Sequence, residues 1–157
     1  MNEFPGRKVD MHTEDIEIVT YDKLHTDAIM IRKVVFEDEQ GFEEEFDEID
    51  ENDIAKHMVF YKGGEPIGTC RYYMQDGEYR IGRIAVIKEY RGKGLGEFIV
   101  RVAEDKVFEI GGRESVLSAQ VRAKGFYEKI GYAEEGEIYM EEMCPHIKMR
   151  KKLTKGK

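Results

Sequence analysis

The segment Arg91-Gly92-Lys93-Gly94-Leu95-Gly96 decides the fold that we expect, because a strand pattern leads into it and a helix pattern leads out. Upstream, β-branched residues within positions 80–87 predict a buried strand. Downstream, apolar residues recur every three or four positions to about Ile110, which predicts one face of a helix. Glycines allow a ligand close to the backbone, and the first N–H groups of a helix have no partner inside it. The joint therefore predicts an anion site, to which Arg91 and Lys93 add positive charge.

The spacing of the glycines excludes two common phosphate-binding loops. The dinucleotide pattern G-x-G-x-x-G, counted from Gly92, puts its last glycine at Glu97. The nucleoside-triphosphate loop needs Lys-Ser or Lys-Thr after its second glycine, and Gly96 is followed by Glu97. The pattern that fits is R-x-x-G-x-G. A glycine-rich turn with two solvated basic residues is the alternative interpretation.

Length and composition indicate one globular domain without a metal or a membrane segment. The chain has 157 residues, of which 41% are hydrophobic and 37% charged. No apolar run approaches the length of a membrane span, and the first fifteen residues contain no apolar signal core, so we expect a cytoplasmic protein with no membrane partner. Two cysteines cannot form a disulfide framework, and no Cys/His cluster has zinc spacing. We expect Cys70, in a strand-like run, to be a packed apolar residue.

An acidic segment, residues 37–53, holds eleven acids and no base in a chain of net charge −8. Such a patch opposes nucleic-acid binding and would attract a cationic substrate. A solvated surface loop is the alternative. The interleaved Phe42, Phe46 and Ile49 indicate that the segment is docked on the protein.

The order of the remaining patterns predicts an α/β (mixed α+β) fold. A flexible arm, 1–15, precedes a single domain, 16–153. Its mixed, mostly antiparallel sheet has helices on both faces. One pair of neighbouring strands is parallel, and the long helix connects the two strands of that pair. That pair would splay at the glycine loop and open a slot for a linear ligand. The first helix would be capped by Asp22 or Thr26 and would end near Phe36. The predicted strands cover 16–20, 56–61, 66–74, 79–86, 115–119, 132–139 and 147–153, and the helices 24–36, 95–110 and 121–130.

A second motif gives the chain its resemblance to a family. The pattern Gln120-x-x-Ala123-x-x-Phe126-Tyr127-x-Lys129-x-Gly131-Tyr132 resembles N-x-x-A-x-x-F-Y-x-K-x-G-F of the GCN5-related N-acetyltransferases (GNAT), with glutamine in place of the commoner asparagine. R-x-x-G-x-G resembles the pyrophosphate loop with which that family binds coenzyme A. The resemblance covers roughly residues 16–153. It implies the GNAT fold, acetyl-CoA as cosubstrate, and acetyl transfer to the primary amine of a small molecule.

The resemblance also implies which residues form the site. The loop contacts the diphosphate, and further residues follow the rest of the cofactor, with a backbone N–H near Ile84 to Val86 stabilising the oxygen that gains negative charge. Tyr127 would protonate the leaving thiolate, although it could merely pack its helix on the sheet. The implied cofactor-binding residues are Ile84, Ala85, Val86, Arg91, Gly92, Lys93, Gly94, Leu95, Gly96, Gln120 and Phe126.

Two further stretches narrow the resemblance and suggest a general base. Val34-Val35-Phe36-x-x-Glu39-Gln40 and Cys144-Pro145-His146-Ile147-x-Met149 resemble a small bacterial branch with V-F-x-x-E-Q and P-H-x-x-M motifs, similar to the glyphosate N-acetyltransferases. In the latter, the histidine of the P-H pair is the base, a role that falls on His146. A base is needed because a primary amine is mostly protonated at neutral pH, and a neutral imidazole can take its proton. Glu39 and His57 stay open as alternatives.

The acceptor and the assembly stay open at this stage. The acidic segment suggests a cationic acceptor, whereas the resemblance to glyphosate acetylation implies an amino acid or aminophosphonate, for which Arg71 or Arg83 could bind the anionic group. A buried ion pair is the other explanation of those arginines. A non-catalytic acyl-CoA-binding regulatory module is the alternative function. We expect no nucleic-acid partner, and the family's habit of pairing edge strands suggests a homodimer.

Overall fold

Seven strands form one sheet in the structure, a computed structural model that describes residues 15–43 and 46–155. Their order is β1-β2-β3-β4-β5-β7-β6, and every neighbouring pair is antiparallel except β4 with β5. The predicted mixed, mostly antiparallel sheet is therefore confirmed. The strands are β1 (Ile16–Tyr21), β2 (Lys56–Lys62), β3 (Glu65–Gln75), β4 (Glu78–Val86), β5 (Glu114–Gln120), β6 (Ala133–Glu141) and β7 (Cys144–Lys152).

Helices cover both faces of this sheet, as predicted. Alternate residues of β2 point to opposite faces, so Val59 and Tyr61 pack with the first helix, while Met58 and Phe60 pack with the long third helix. The helices are α1 (Thr26–Arg32), which continues as a π-helix (Lys33–Glu39), α2 (Glu48–Glu51), α3 (Leu95–Glu109) and α4 (Lys124–Lys129). Two short 3₁₀ turns complete the list. Lys88–Tyr90 precedes the glycine loop that leads into α3, and Val121–Ala123 leads directly into α4.

The long helix lies very close to the centre of the sheet. A β-carbon on Gly68 of β3 would be 2.7 Å from Cδ1 of Ile99 on α3. No real side chain tolerates that distance, so the absent side chain of Gly68 sets how near α3 approaches. The buried Cys70 of the same strand contributes to this core, as predicted.

The two ends of the first helix differ from the sequence prediction. Its N-cap is His25, whose Nδ1 accepts the N–H of Asp27 at 3.0 Å, and not Asp22 or Thr26. The helix also does not end near Phe36, because its last seven residues continue as a π-helix to Glu39. The π-helix brings Glu39 to the loop that follows β4 and Gln40 to the end of β5, where both make side-chain contacts described below.

The last strand begins earlier than predicted, at Cys144 instead of Ile147. It pairs with β5 from His146 to Lys152, and His146 lies opposite Gln120. This histidine is therefore held within a strand that has hydrogen-bonded neighbours on both sides. Most of the expected flexible arm, residues 1–14, lies outside the described residues.

The parallel pair separates as expected. The register of β4 and β5 is defined at Arg80 and Val116, and beyond that pair β5 continues beside β7. On its other side β4 bulges, because Arg83 and Ile84 together face one residue of β3. Arg83 has a φ of +49°, a backbone conformation that is strained for a residue with a long side chain. Separation and bulge together open a cleft in the sheet.

Candidate active site

A cleft of about 820 Å³ lies where β4 and β5 separate. Residues of both strands line it, among them Ile84 on β4 and Leu117 on β5. The end of the π-helix supplies a further wall with Phe36 and Gln40, and the hairpin of β6 and β7 supplies Tyr139 and His146. A volume of this size accommodates a small molecule.

His146 is held in one tautomer by the backbone. Its ring lies against the cleft and is only 5% exposed. Nδ1 is 2.8 Å from the carbonyl oxygen of Cys144. A carbonyl can only accept a hydrogen bond, so Nδ1 carries the proton and Nε2 keeps its lone pair. The ring of Tyr139 stacks against the imidazole at 6.1 Å and fixes its plane. His146 is thus an oriented base in the cleft wall.

Tyr127 lines the same cleft from helix α4. Its ring makes edge contacts with Phe126, at 5.0 Å between centroids, and with Tyr132, at 5.9 Å. Burial raises the pKa of the Tyr127 hydroxyl above its ordinary value, so the hydroxyl stays protonated at neutral pH. The side chain can therefore donate a proton there.

Neither alternative base is among the residues that line the cleft. His57 is 1% exposed, and its Nε2 lies 3.9 Å from Oδ1 of Asp50. Burial, together with the nearby arginines, lowers the pKa of His57 to about 4 in spite of that carboxylate. Glu39 instead accepts a hydrogen bond of 2.6 Å from Arg91. Geometry thus separates His146 from both.

The glycine loop has the backbone that its sequence suggests for an anion site. Gly92 and Gly94 have φ values of +77° and +86°, and Gly94 is the N-cap of α3, where it offers no side chain to the first N–H groups. Arg91 does not extend freely into solvent, because its Nε donates to the carbonyl of Val86 at 2.9 Å and its Nη2 to Glu39. The described residues at this helix start fit a diphosphate group.

The other predicted cofactor residues divide between the loop and the cleft. Phe126 lies beside the start of α3, with its ring 3.6 Å from where a β-carbon on Gly96 would be. Gln120 lines the cleft, where its amide donates to Gln40 at 2.8 Å and accepts from Nε of Arg122 at 2.7 Å. Gln120 therefore links the π-helix to the chain that follows β5.

The acidic segment is docked through ion pairs with arginines, which is the alternative explanation that the sequence offered for Arg71 and Arg83. Asp50 receives two hydrogen bonds from Arg32, at 3.0 and 2.7 Å, and one from Arg71 at 2.9 Å. Asp47 receives two from Arg71, both 2.8 Å, and one from Arg83 at 3.3 Å. The charges of these two acids are therefore used within the protein, where they hold the segment on the sheet.

The cleft itself has an excess of basic side chains. Among the described residues, five line it, namely Arg71, Arg80, Arg83, Arg122 and Lys148, against the three acids Asp47, Glu141 and Glu142. Four of the five are paired with acids, because Arg71 and Arg83 bind Asp47, and Arg80 and Lys148 bind Glu78. Arg122 instead donates its Nε to the neutral amide of Gln120, so its guanidinium is the cation in the cleft that an anionic group fits best.

Sequence reasoning missed three residues beside His146. Ser118 lies at the mouth of the cleft, with its hydroxyl in contact with the hydroxyl of Tyr139 and 3.3 Å from Oε1 of Glu141. Glu141 places Oε2 3.9 Å from Nε2 of His146. Only the register of the hairpin brings these groups together, and no sequence pattern encodes it.

Comparisons with known proteins agree with this architecture. The family model described as "Acetyltransferase (GNAT) family" matches residues 21–132. The uncharacterised N-acetyltransferase YjcF of Bacillus subtilis is 38% identical over 128 residues, which are 80% of this chain and 90% of that protein.

Two solved structures share the fold. An N-acetyltransferase structure from Lactobacillus plantarum matches with a TM-score of 0.81 and 30% identity, over 88% of this chain and 99% of that one. A GNAT family acetyltransferase from Elizabethkingia anophelis with acetyl-CoA bound matches with a TM-score of 0.69 and 16% identity, over 89% of this chain and 99% of that one; this likeness shows the fold alone. No helix among the described residues is long and apolar enough to cross a membrane, and no group of three potential metal ligands occurs there.

Proposed function

Because the chain belongs to the GNAT family of acetyltransferases and is an acyl-CoA-dependent N-acyltransferase, we propose that it acetylates the primary amine of a small molecule that also carries an anionic group. The observation that supports this most is the orientation of His146. The carbonyl of Cys144 holds the proton on Nδ1, and Nε2 is left as a base within a cleft of suitable size.

Acetyl-CoA, when bound, supplies an acyl thioester with a carbonyl open to attack. The helix start at Gly94 and Leu95, with Arg91 and Lys93, would hold the diphosphate through N–H donors and charge. Ile84 belongs to the bulge of β4, with Ala85 and Val86 after it, and a backbone N–H of this stretch would stabilise the oxygen that gains negative charge.

His146 takes the proton from the amine. A primary ammonium has a pKa near 10.4, so most of the acceptor arrives protonated at neutral pH. The neutral imidazole removes that proton at Nε2, while the hydrogen bond from Nδ1 to Cys144 stabilises the imidazolium that forms. The stacked ring of Tyr139 keeps the imidazole in place during this step.

Tyr127 donates a proton to the sulfur that leaves. Its raised pKa keeps it fully protonated before the reaction. The edge contacts with Phe126 and Tyr132 hold the phenol ring in one orientation, so that its hydroxyl has a defined direction. A positioned acid of this kind typically contributes about 10²- to 10⁴-fold to the rate.

The charge of the cleft supports an acceptor that carries an anionic group. Five basic and three acidic side chains line the cleft among the described residues, and Arg122 is the basic one that donates to a neutral amide, that of Gln120, and not to a carboxylate. A carboxylate or phosphonate would bind the Arg122 guanidinium through charge-assisted hydrogen bonds. This observation favours amino acids and aminophosphonates over polyamines.

The test is release of the CoA thiol from acetyl-CoA with glycine, aspartate, aminomethylphosphonate and spermidine as acceptors. We expect turnover of at least one anionic amine and none of spermidine. His146→Ala and Tyr127→Phe should each lower kcat/KM by about 10²- to 10⁴-fold. Tyr79→Phe, which removes a hydroxyl outside the cleft, is the matched control and should behave as the wild type.

Thermal unfolding with and without acetyl-CoA distinguishes a loss of catalysis from a loss of acetyl-CoA binding. All three variants should keep the stabilisation by acetyl-CoA. Turnover by His146→Ala within threefold of the wild type would remove His146 as the base. A wild-type protein that is stabilised by acetyl-CoA but acetylates none of the amines would match the non-catalytic regulatory module.

A further inference from the structure

We propose that Glu141 is the residue that binds the ammonium group of the acceptor and holds it against His146. This inference rests on the proposed function, because it assigns the amine end of the same substrate. Glu141 is the last residue of the edge strand β6 and pairs with Cys144, so the hairpin register brings its side chain beside His146. Its carboxylate is about half exposed, with 48% of the side chain accessible.

The distance between the two groups is the central observation. Oε2 of Glu141 lies 3.9 Å from Nε2 of His146, which is too long for a hydrogen bond. Because Nδ1 carries the proton of the neutral imidazole, both atoms are acceptors in that state. Two acceptors at this distance form a site for a donor that can bind both. An ammonium nitrogen placed about 2.8 Å from each atom would do so with two of its three N–H groups.

A chain of hydroxyls orients the carboxylate for this role. The hydroxyl of Ser118 donates to Oε1 of Glu141 at 3.3 Å, and it contacts the hydroxyl of Tyr139. Ser118 has one proton to give, so Tyr139 must donate to Ser118 when Ser118 donates to Glu141. Oε1 is thereby engaged, and Oε2 faces the imidazole.

The path of the protons through the reaction gives Glu141 a second role. The ammonium gives its first proton to Nε2, which leaves an imidazolium between the carboxylate and the carbonyl of Cys144. The freed lone pair of the amine forms the N–C bond, and the electron pair of the C–S bond leaves with sulfur, which takes the proton of Tyr127. The second proton lost by nitrogen restores Tyr127, and the first is released from His146 to solvent. Glu141 therefore contacts the ammonium before transfer and stabilises the imidazolium after it.

The test compares acceptors that differ in charge. Glycine, aspartate and aminomethylphosphonate arrive as ammonium ions, whereas the amine of aminooxyacetate is mostly uncharged at neutral pH and its carboxylate keeps the anionic group. The rate of CoA release without enzyme is subtracted for each acceptor. Steady-state CoA release at pH 7 gives kcat and KM for the wild type, Glu141→Gln and Glu137→Gln. The control Glu137 is an exposed acid on the same strand and is not among the residues that line the cleft.

We expect Glu141→Gln to raise KM about tenfold for the ammonium acceptors and less than twofold for aminooxyacetate. Glu137→Gln should change neither. Equal losses with both kinds of acceptor, or none, would overturn the role of Glu141 and leave the proposed function standing. A wild-type protein that acetylates aminooxyacetate but none of the three ammonium acceptors would also overturn the role of Glu141, and one that acetylates none of the four would overturn both proposals.

Discussion

Replacing Asp50 by asparagine is expected to lower the free energy of unfolding by about 3 kcal/mol. Asp50 is 5% exposed and accepts hydrogen bonds from Arg32 and Arg71, which are themselves 1% and 3% exposed. Burial alone would raise the pKa of Asp50, but the hydrogen bond and charge of Arg32 and the charge of Arg71 hold it below its ordinary value. Asparagine keeps the shape and removes the charge that these arginines face.

The magnitude follows from burial and from what remains after the change. Removing one member of a buried ion pair typically costs about 3–5 kcal/mol, because the other charge stays in the interior. Arg71 keeps its hydrogen bonds to Asp47, and the asparagine oxygen still accepts one bond, so the lower end applies. For a domain of this size, about 3 kcal/mol corresponds to a fall in Tm of about 6–12 °C.

Urea unfolding followed by circular dichroism, with Asp53→Asn as the control, measures this effect. The carboxylate of Asp53 lies 3.9 Å from Nζ of Lys23 in a pair that is 46% and 80% exposed, so the control should lose less than about 1 kcal/mol. A difference between the two variants below about 1 kcal/mol would show that the charge of Asp50 is solvated and that the network does not stabilise the fold.

Three other predictions concern different parts of the chain. The pKa of His57 is about 4 in the folded protein against about 6.5 when unfolded, so the unfolded state binds more protons between those values and stability falls as pH drops through that range. His57→Gln should therefore flatten the pH dependence of urea unfolding from pH 6.5 to 4, where the wild type loses up to about 3 kcal/mol; an unchanged slope would contradict this. Gly68→Ala should lower the free energy of unfolding by about 1–3 kcal/mol, because the new β-carbon would meet Cδ1 of Ile99 at 2.7 Å. Adding Ile99→Val, which removes that Cδ1, should restore part of the loss. Additive effects of the two substitutions on stability would refute the clash. Glu39→Gln removes the carboxylate that orients Arg91 and should weaken acetyl-CoA binding about two- to fivefold in calorimetry, with a smaller effect in high salt. Unaltered affinity would mean that the carbonyl of Val86 alone orients the guanidinium.

Features encoded by local sequence could be predicted, because their signals lie within a few residues of each other. The strand, the loop at Gly92 and Gly94, and helix α3 are such a unit, since periodicity and glycine conformation both act over short distances. The order of the helices and strands along the chain was then enough to predict the mixed sheet and its parallel pair of strands.

Features that depend on non-local pairing could not be predicted from the sequence. His146 was expected just before the last strand, yet the strand begins at Cys144, because β6 pairs with it as far as Glu141 and β5 as far as Gln120. The bulge at Arg83 depends on the register with β3. The partners of Asp50 lie 18 and 21 residues away along the chain, so the sequence alone could not show which arginines pair with the acids of its segment.

The position of β7 between β5 and β6 separates two parts of the site that can change independently. His146 lies on a strand with hydrogen-bonded neighbours on both sides, so its place is fixed by the sheet. Glu141 is the last residue of the edge strand β6, whose nine residues are all exposed. The turn at Glu142 and Met143 follows it directly. Under the proposed role of Glu141, substitutions there and in the turn would alter the amine end of the site, while pairing with β5 and the carbonyl of Cys144 still hold His146. Tyr139 on the same strand would have to be kept, because its ring lies against the imidazole. The acceptor could thus change through a few positions at the end of one edge strand.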